Sequence, residues 1–527
     1  MKPSIRFALI PLLLATACSN HRDAYGSKVF DVSPAQLQAA MGNNPAAEFY
    51  RRDQWLPMWS AGSAKELEQV LAKRTANGLD RVSFLADISK GTPAQKEAAL
   101  TKAALAYAAA LSNGLTDPTK LYPIYSIPRP QVDLIDGLQQ PLADGKVADW
   151  FAKLAPQDAE YAALSKAYLH YRDVAAYAAQ HQVPAGKTIS PDATDPRIPA
   201  IRDLLTREGY LAVQTAQAPS GQPAAPAPSA SASAASPQPS QSSGANAYTP
   251  DLVAAIKALQ NETGLDDNGK IDAGTLAALN RAAVTRGRAL AVALERRRWL
   301  VRNPPETRID VNTGAAILLY YRDGKLVDQR KVVVGQPGKE TPQIEAPIYR
   351  LVANPTWTIP KSIASTELAG KGAGYLKSHN MAWKDGWIVQ QSGPDNSLGL
   401  VKFDMQDKYE IYLHDTPAKA LFDLDERQRS HGCVRVFDAL GFADMLAGQE
   451  NIADQWKQAR AKQDETFVPL PQKIPVRLLY HPTYVTRSGA VQFGEDIYGW
   501  DGPVAQQLGY DRASGRRIYA TIEDLGP

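Results

Sequence analysis

Two histidines, a glycine and a cysteine fall within one short region: His414-Asp415, then Ser430-His431-Gly432-Cys433-Val434-Arg435. The chain has only two cysteines and seven histidines. Cys18 ends an apolar leader, which leaves Cys433 as the one thiol of the body. A free thiol ionises near ~8.5, so only a few per cent is thiolate at neutral pH. A nearby imidazole such as His414 corrects this by taking the proton and later returning it to an amine. Gly432 permits close backbone approach and unusual φ. The backbone N–H groups around His431, Gly432 and Cys433 are candidates for an oxyanion site, a contribution of ~3–4 kcal/mol per donor. Arg435 shares the face of Cys433 on a strand and can hold a carboxylate in its fork. Three rival readings stand beside this one. Cys433 is a buried structural thiol; His414, His431 and Cys433 ligate zinc, although CxxC and HxxxH spacings are missing; or Ser430 is the nucleophile, without a Gly-x-Ser-x-Gly elbow.

The elements that must position these groups are β-rich. Period-two runs at Arg308–Asn312, Ala315–Tyr321, Ile348–Val352, Trp387–Gln391, Leu400–Phe403 and Tyr409–Leu413 predict strands, the last delivering His414. Asp323-Gly324 between two runs predicts a hairpin. The expected domain is mainly β, a sandwich or a barrel-like fold over 305–485. A Gly-rich stretch over 362–398 reads as a cap on the site. Residues 486–527 are a C-terminal extension without evident chemistry.

Upstream the pattern is helical and the architecture α+β multidomain. Residues 27–194 form an alanine-rich helical scaffold, with helix ends at Asn77-Gly78 and Asn113-Gly114. The aromatics Phe49, Tyr50, Trp55 and Trp59 read as core in preference to a sugar platform. Residues 195–285 give three helices, at Ile198–Leu205, after Thr249-Pro250, and after Asp272, interrupted by an Ala/Ser/Pro-rich insertion over 217–247 that reads as disordered. Arg288–Val301 reads as a further helix, its Arg296-Arg297-Arg298 run solvated or salt-bridged. Asp266-Asp267-Asn268-Gly269 fails the calcium-loop formula at Lys270, and no metal is expected. A net charge of +3 and charged content of 21% leave no polycationic footprint for nucleic acid.

Residues 1–18 carry Lys2 and Arg6, an apolar run broken by Pro11, and Ala15-Thr16-Ala17-Cys18, the pattern of an export signal. The run is too short to span a membrane. Cys18 resembles the acylated cysteine of a lipoprotein lipobox; Ala15-Thr16-Ala17 suits ordinary cleavage equally. The protein is expected in the periplasm or cell envelope, lipid-anchored on the first reading.

His414, fifteen intervening residues, and Ser430-His431-Gly432-Cys433-Val434-Arg435 resemble the active-site signature of the L,D-transpeptidases. Gly393-Pro394-Asp395-Asn396-Ser397-Leu398-Gly399 and Tyr412-Leu413-His414-Asp415-Thr416-Pro417 are similar to that family too. The three helices of 195–285 resemble a peptidoglycan-binding module, and the domain order is similar to the larger Gram-negative branch. The resemblance implies a cysteine enzyme, without cofactor or metal, that joins peptidoglycan stem peptides. Cys433 would attack the third stem residue, D-alanine would leave, and an acceptor amine would resolve the thioester into a 3→3 cross-link. It implies His414 as base and acid, His431 and Gly432 at the oxyanion site, Ser430 in substrate binding, Arg435 either orienting substrate or supporting the loop, and carbapenems as acylating agents. Hydrolysis of a wall linkage, and an idle fold that anchors the wall, are the alternatives.

Overall fold

The computed structural model describes residues 30–87, 89–211 and 244–511. The leader with Cys18 and most of the 217–247 insertion lie outside the described residues, as does the end of the 486–527 extension. Two compact units are formed: residues 1–74, 83–112 and 131–155 make one, and 75–82, 113–130 and 156–527 the other.

The first unit is helical. Its longest helix begins at Pro93, and beside it lie Ala61–Ala72 and Leu134–Asp144. Phe49, Tyr50 and Trp59 are fully buried, which fits the core reading of that aromatic group. They close over Glu97, whose carboxylate accepts from Met58 N (2.7 Å), Trp59 N (3.2 Å) and the Tyr50 hydroxyl (3.0 Å). Burial nonetheless pushes this carboxyl up to about 7.

In the second unit the helices Ile198–Arg207 and Pro250–Glu262 share a core with the first half of Ala273–Arg298, through Ile201, Leu204, Ile256, Leu259, Leu276 and Leu279. The helix expected after Asp272 and the one expected from Arg288 are a single element of 26 residues. Gly287 sits inside it with nothing within 4 Å of where a Cβ would be, so it neither breaks nor bends the pattern. The arginine run at its end is buried and paired, not solvated. Arg296 meets Asp501, Arg298 meets Glu295 (2.6 Å), and Arg297 bridges Asp158 and Glu160 (3.0 Å each).

The β region is one mixed sheet. Its strands are β1 (Arg308–Asn312), β2 (Ile317–Arg322), β3 (Lys325–Gly335), β4 (Glu345–Ala353), β8 (Val401–Met405), β9 (Leu413–His414), β10 (Gln428–Ser430), β11 (Val434–Val436) and β12 (Thr466–Leu479); the short β5 (Trp357–Thr358), β6 (Met381–Lys384) and β7 (Trp387–Gln390) form a separate sheet. The order β10-β3-β11-β9-β8-β4-β12-β1-β2, with a further β3–β2 pairing, brings the ends of the large sheet together. Of the two expected architectures, sandwich or barrel-like, the structure is the second, a closed ring of strands. β3 is the cause. At eleven residues it is long enough to pair with β2 over its first half and with β11 and β10 over its second. The Asp323-Gly324 hairpin joins β2 to β3, both turn residues having positive φ (51° and 75°). Inside the ring Val311, Leu318, Val334, Leu351, Phe403 and Leu478 pack with Phe442 and Trp456 of two following helices.

Residues 357–398 form a small body of their own. β5, β6 and β7 pair, two short helices (Lys361–Glu367 and Ala373–Ser378) cover them, and Trp357, Ile363, Leu376, Met381 and Ile388 are its core.

Gly335, at the end of β3, marks the tightest backbone approach near the cysteine. A Cβ there would strike the backbone of Lys339, Glu340 and Thr341, and Thr341 in turn holds the Gly432 carbonyl (2.8 Å). Gly335→Ala is expected to destabilise the domain by ~1–3 kcal/mol, read as a lower denaturant midpoint with an unchanged m-value.

Candidate active site

The site is built on three adjacent strands. β9 and β11 run parallel, with Leu413 opposite Val434 and His414 opposite Arg435; β8 lies on the other side of β9, with Lys402 opposite His414. Alternation sends Leu413, Val434 and Val436 into the ring's core. It puts Tyr412, His414, Lys402, Cys433 and Arg435 together on the outer face. His414 and Cys433 are thus diagonal neighbours across the β9–β11 pair, a relation that spans about 7–8 Å between Cα atoms.

The loop between β10 and β11 is braced from behind. The Ser430 hydroxyl donates to the Cys433 carbonyl (2.6 Å) and accepts from Gly432 N (3.2 Å). Gly432 has φ +121°, a conformation that L side chains rarely adopt. Ser430 is therefore the loop's inner support, and the Gly432 N–H is engaged by it, instead of both facing a substrate.

The sulfur and the imidazole are each held neutral. Cys433 is 6% exposed, and burial pushes its thiol up to about 11. Its Sγ lies 3.8 Å from the Glu410 carbonyl. His414 is fully buried, and burial, followed by the Arg435 guanidinium, holds its imidazole well below the usual range. His414 Nδ1 is hydrogen-bonded to the Asp415 carbonyl. A carbonyl only accepts, so the proton is on Nδ1 and Nε2 carries the lone pair. That Nε2 is buried without a hydrogen-bond partner among the described residues.

A groove of about 980 Å³ leads to the sulfur, lined by Cys433, Gly432, His431, Tyr412, Lys402 and, from the small body, Trp357 and Trp387 among others. His414 stands behind this wall with Ser430 and Arg435, each at most 1% exposed. This placement keeps Ser430 out of the groove and, of the two roles expected of Arg435, fits support of the loop and not substrate contact; the strand alternation that aligned Arg435 with Cys433 holds. His431 is at the groove, and its Nε2 pairs with Glu367 on the helix Lys361–Glu367, a carboxylate also met by Lys339 (3.2 Å). Asp415 takes the Leu400 N–H (3.0 Å) and the Lys419 ammonium, fixing the loop beyond Gly399. Sequence reasoning missed Tyr412 and Lys402. Tyr412 was within reach of the period-two rule, two residues before His414; Lys402 required the strand register. The Lys402 ammonium lies 4.2 Å over the Tyr412 ring and 2.8 Å from Asp404.

The model of the L,D-transpeptidase catalytic domain matches residues 306–461. The chain carries an L,D-transpeptidase catalytic domain. The model of the Scaffold domain matches residues 44–167. A curated Haemophilus influenzae protein named "Putative L,D-transpeptidase" is 30% identical over 217 residues, which is 37% of this chain and 44% of that protein. The chain thus matches less than half the length of that relative. Among solved structures, an L,D-transpeptidase from Mycobacterium smegmatis aligns at 12% identity and TM-score 0.19, covering 33% of this chain and 58% of that one. One from Xylanimonas cellulosilytica aligns at 16% and TM-score 0.17, covering 56% and 98%. Both scores are too low to argue from.

A neutral thiol beside a neutral imidazole makes a definite pH prediction. The raised thiol value means the reactive thiolate accumulates only as pH rises. Alkylation of Cys433 by iodoacetamide should therefore keep accelerating through pH 8–10 and level off near 11. A plateau below pH 7 would mean a preformed thiolate–imidazolium pair.

Proposed function

We propose that the protein is a peptidoglycan L,D-transpeptidase that forms 3→3 cross-links between stem peptides through a thioester on Cys433. The observation that carries this reading is the pair on one sheet face: a groove-lining thiol and, diagonal to it, a buried imidazole whose Nε2 lone pair is unclaimed.

In the forward half-reaction, rotation about the Cys433 side chain turns its S–H toward His414. Nε2 accepts the proton as sulfur attacks the carbonyl carbon of the third donor residue. The tetrahedral oxyanion collapses, the bond to D-alanine breaks, and the imidazolium returns its proton to the departing amine. In the second half an acceptor amine attacks the thioester, gives its proton to Nε2, and expels the sulfur, which recovers that proton. The Nδ1 bond to the Asp415 carbonyl keeps one tautomer throughout and supports the positive imidazolium. The Lys402 ammonium, beside Asp404, is a groove cation suited to a substrate carboxylate, a role expected of Arg435.

The 357–398 body serves as the cap, since its residues Trp357, Ile363 and Trp387 line the groove and its Glu367 meets His431. The helices of 195–285 are the wall-binding module on this reading. The protein belongs in the periplasm or envelope, with Cys18 its lipid site if the lipobox reading holds.

Purified protein with disaccharide-tetrapeptide should give cross-linked dimers and free D-alanine by mass spectrometry. Cys433→Ala should abolish both, and His414→Gln should slow D-alanine release by ~10²–10⁴-fold. Tripeptide in place of dimer would reassign the enzyme as a hydrolase. Activity unchanged in either variant would refute the proposal.

A further inference from the structure

A second cavity, of about 620 Å³, shares no lining residue with the cysteine groove. It opens where the long helix ends, against β1 and β2 and the segment after β12. Leu300, Ile317, Leu319 and Leu479 give it an apolar wall, with the rings of Tyr321 and Tyr484 beside them.

Its charges do not balance. The carboxylates of Asp158, Glu160 and Asp310 face the guanidiniums of Arg297, Arg302, Arg308, Arg477 and Arg487. The three acids are already engaged. Arg297 takes Asp158 and Glu160, while Asp310 lies between Arg477 (2.7 and 2.8 Å) and Arg308 (2.9 Å). Five guanidiniums against three carboxylates give the lining an excess of positive charge. Two groups register that charge. Burial, with Arg297 and Arg298, pushes the Arg302 guanidinium down to about 10. His481 is held well below its usual range by burial and then by Arg297, Arg296 and Arg477.

His481 also lines the cavity, in a residue only 9% exposed. Its backbone is clamped by Asn312, which donates to its carbonyl (2.9 Å) and accepts from its N–H (3.1 Å).

We propose that this cavity is a second peptide site, separate from Cys433, that binds a short carboxylate-bearing stem peptide. A carboxylate matches the planar fork of arginine and accepts from a His481 ring that protonates as the negative charge arrives. Alanine methyls of such a peptide fit against Leu300 and Ile317. The identity of the ligand rests on the proposed function; the cavity's preference for an anion rests on its own charges.

The test uses the full chain as Cys433→Ala, titrated with the tripeptide Ala-γ-Glu-diaminopimelate in a calorimeter. This probe lacks the terminal D-alanine and so is no donor; binding as an acceptor in the Cys433 groove would leave Arg487→Glu at full affinity and the His481 ring signal unmoved. Arg487→Glu, on an exposed segment, should weaken binding at least about tenfold, the scale of one charge-assisted hydrogen bond. In protein labelled with ¹³C-histidine, the His481 ring signal, assigned with His481→Gln, should move on binding. Absence of tripeptide binding, full affinity in Arg487→Glu, or an unmoved His481 signal would each overturn the proposal. D-alanine release from tetrapeptide is read separately on protein with Cys433 intact. Its absence counts against the transpeptidase reading alone, while the tripeptide titration still decides the cavity.

Discussion

The structure depends on the parallel pairing of two very short strands, Leu413–His414 and Val434–Val436. With side chains alternating at a period of two, that register alone decides that Leu413 and Val434 join the ring's core while His414 and Cys433 share the outer face. A slip of one residue would invert one set and part the imidazole from the sulfur. So short a pair cannot hold register alone. It is flanked by β8 on one side and β3 on the other, and β3 also closes the ring through β2. The ring's closure is thus what keeps the two reactive groups in step.

Burial then sets the chemistry. It penalises the charged form of both partners, raising the thiol and lowering the imidazole, so the resting site holds no ion pair. On the proposed mechanism, a neutral imidazole with its proton fixed on Nδ1 is already the base required. The energetic difficulty is moved from ground state to transition state, where charge separates and where the Asp415 carbonyl faces the imidazolium. Hydrogen bonds from Ser430 to the Cys433 carbonyl and from Thr341 to the Gly432 carbonyl brace the loop that carries the sulfur.

Much of this was legible in the sequence, for identifiable reasons. The spacing from His414 to Cys433 and the His-Gly-Cys triplet marked the reactive pair. The Asp323-Gly324 turn and the alternation around it gave the β2–β3 hairpin. β12 went unread, though it is the sheet's longest strand at fourteen residues, because Pro469, Pro471 and Pro475 argue against a paired strand. It tolerates them through a register break against β4 between Pro469 and Ile474. A barrel-like domain could be named from the strand pattern but not chosen over a sandwich, since closure depends on β3 serving two neighbours in turn. Ser430 and Arg435 were placed by their nearness in sequence to Cys433. Only the fold reveals which of the residues beside the nucleophile are covered, and that Lys402, thirty-one positions upstream, comes to the groove instead.

The most direct measurement of the central claim, that His414 takes the thiol proton, is single-turnover acylation of Cys433 by a tetrapeptide donor across pH. In the parent protein the acylation rate should rise once, at the low value of the neutral imidazole, and then stay flat through neutral pH. In His414→Gln it should climb steadily with pH toward the ionisation of the buried thiol near 11. Identical profiles in the two proteins would contradict the account.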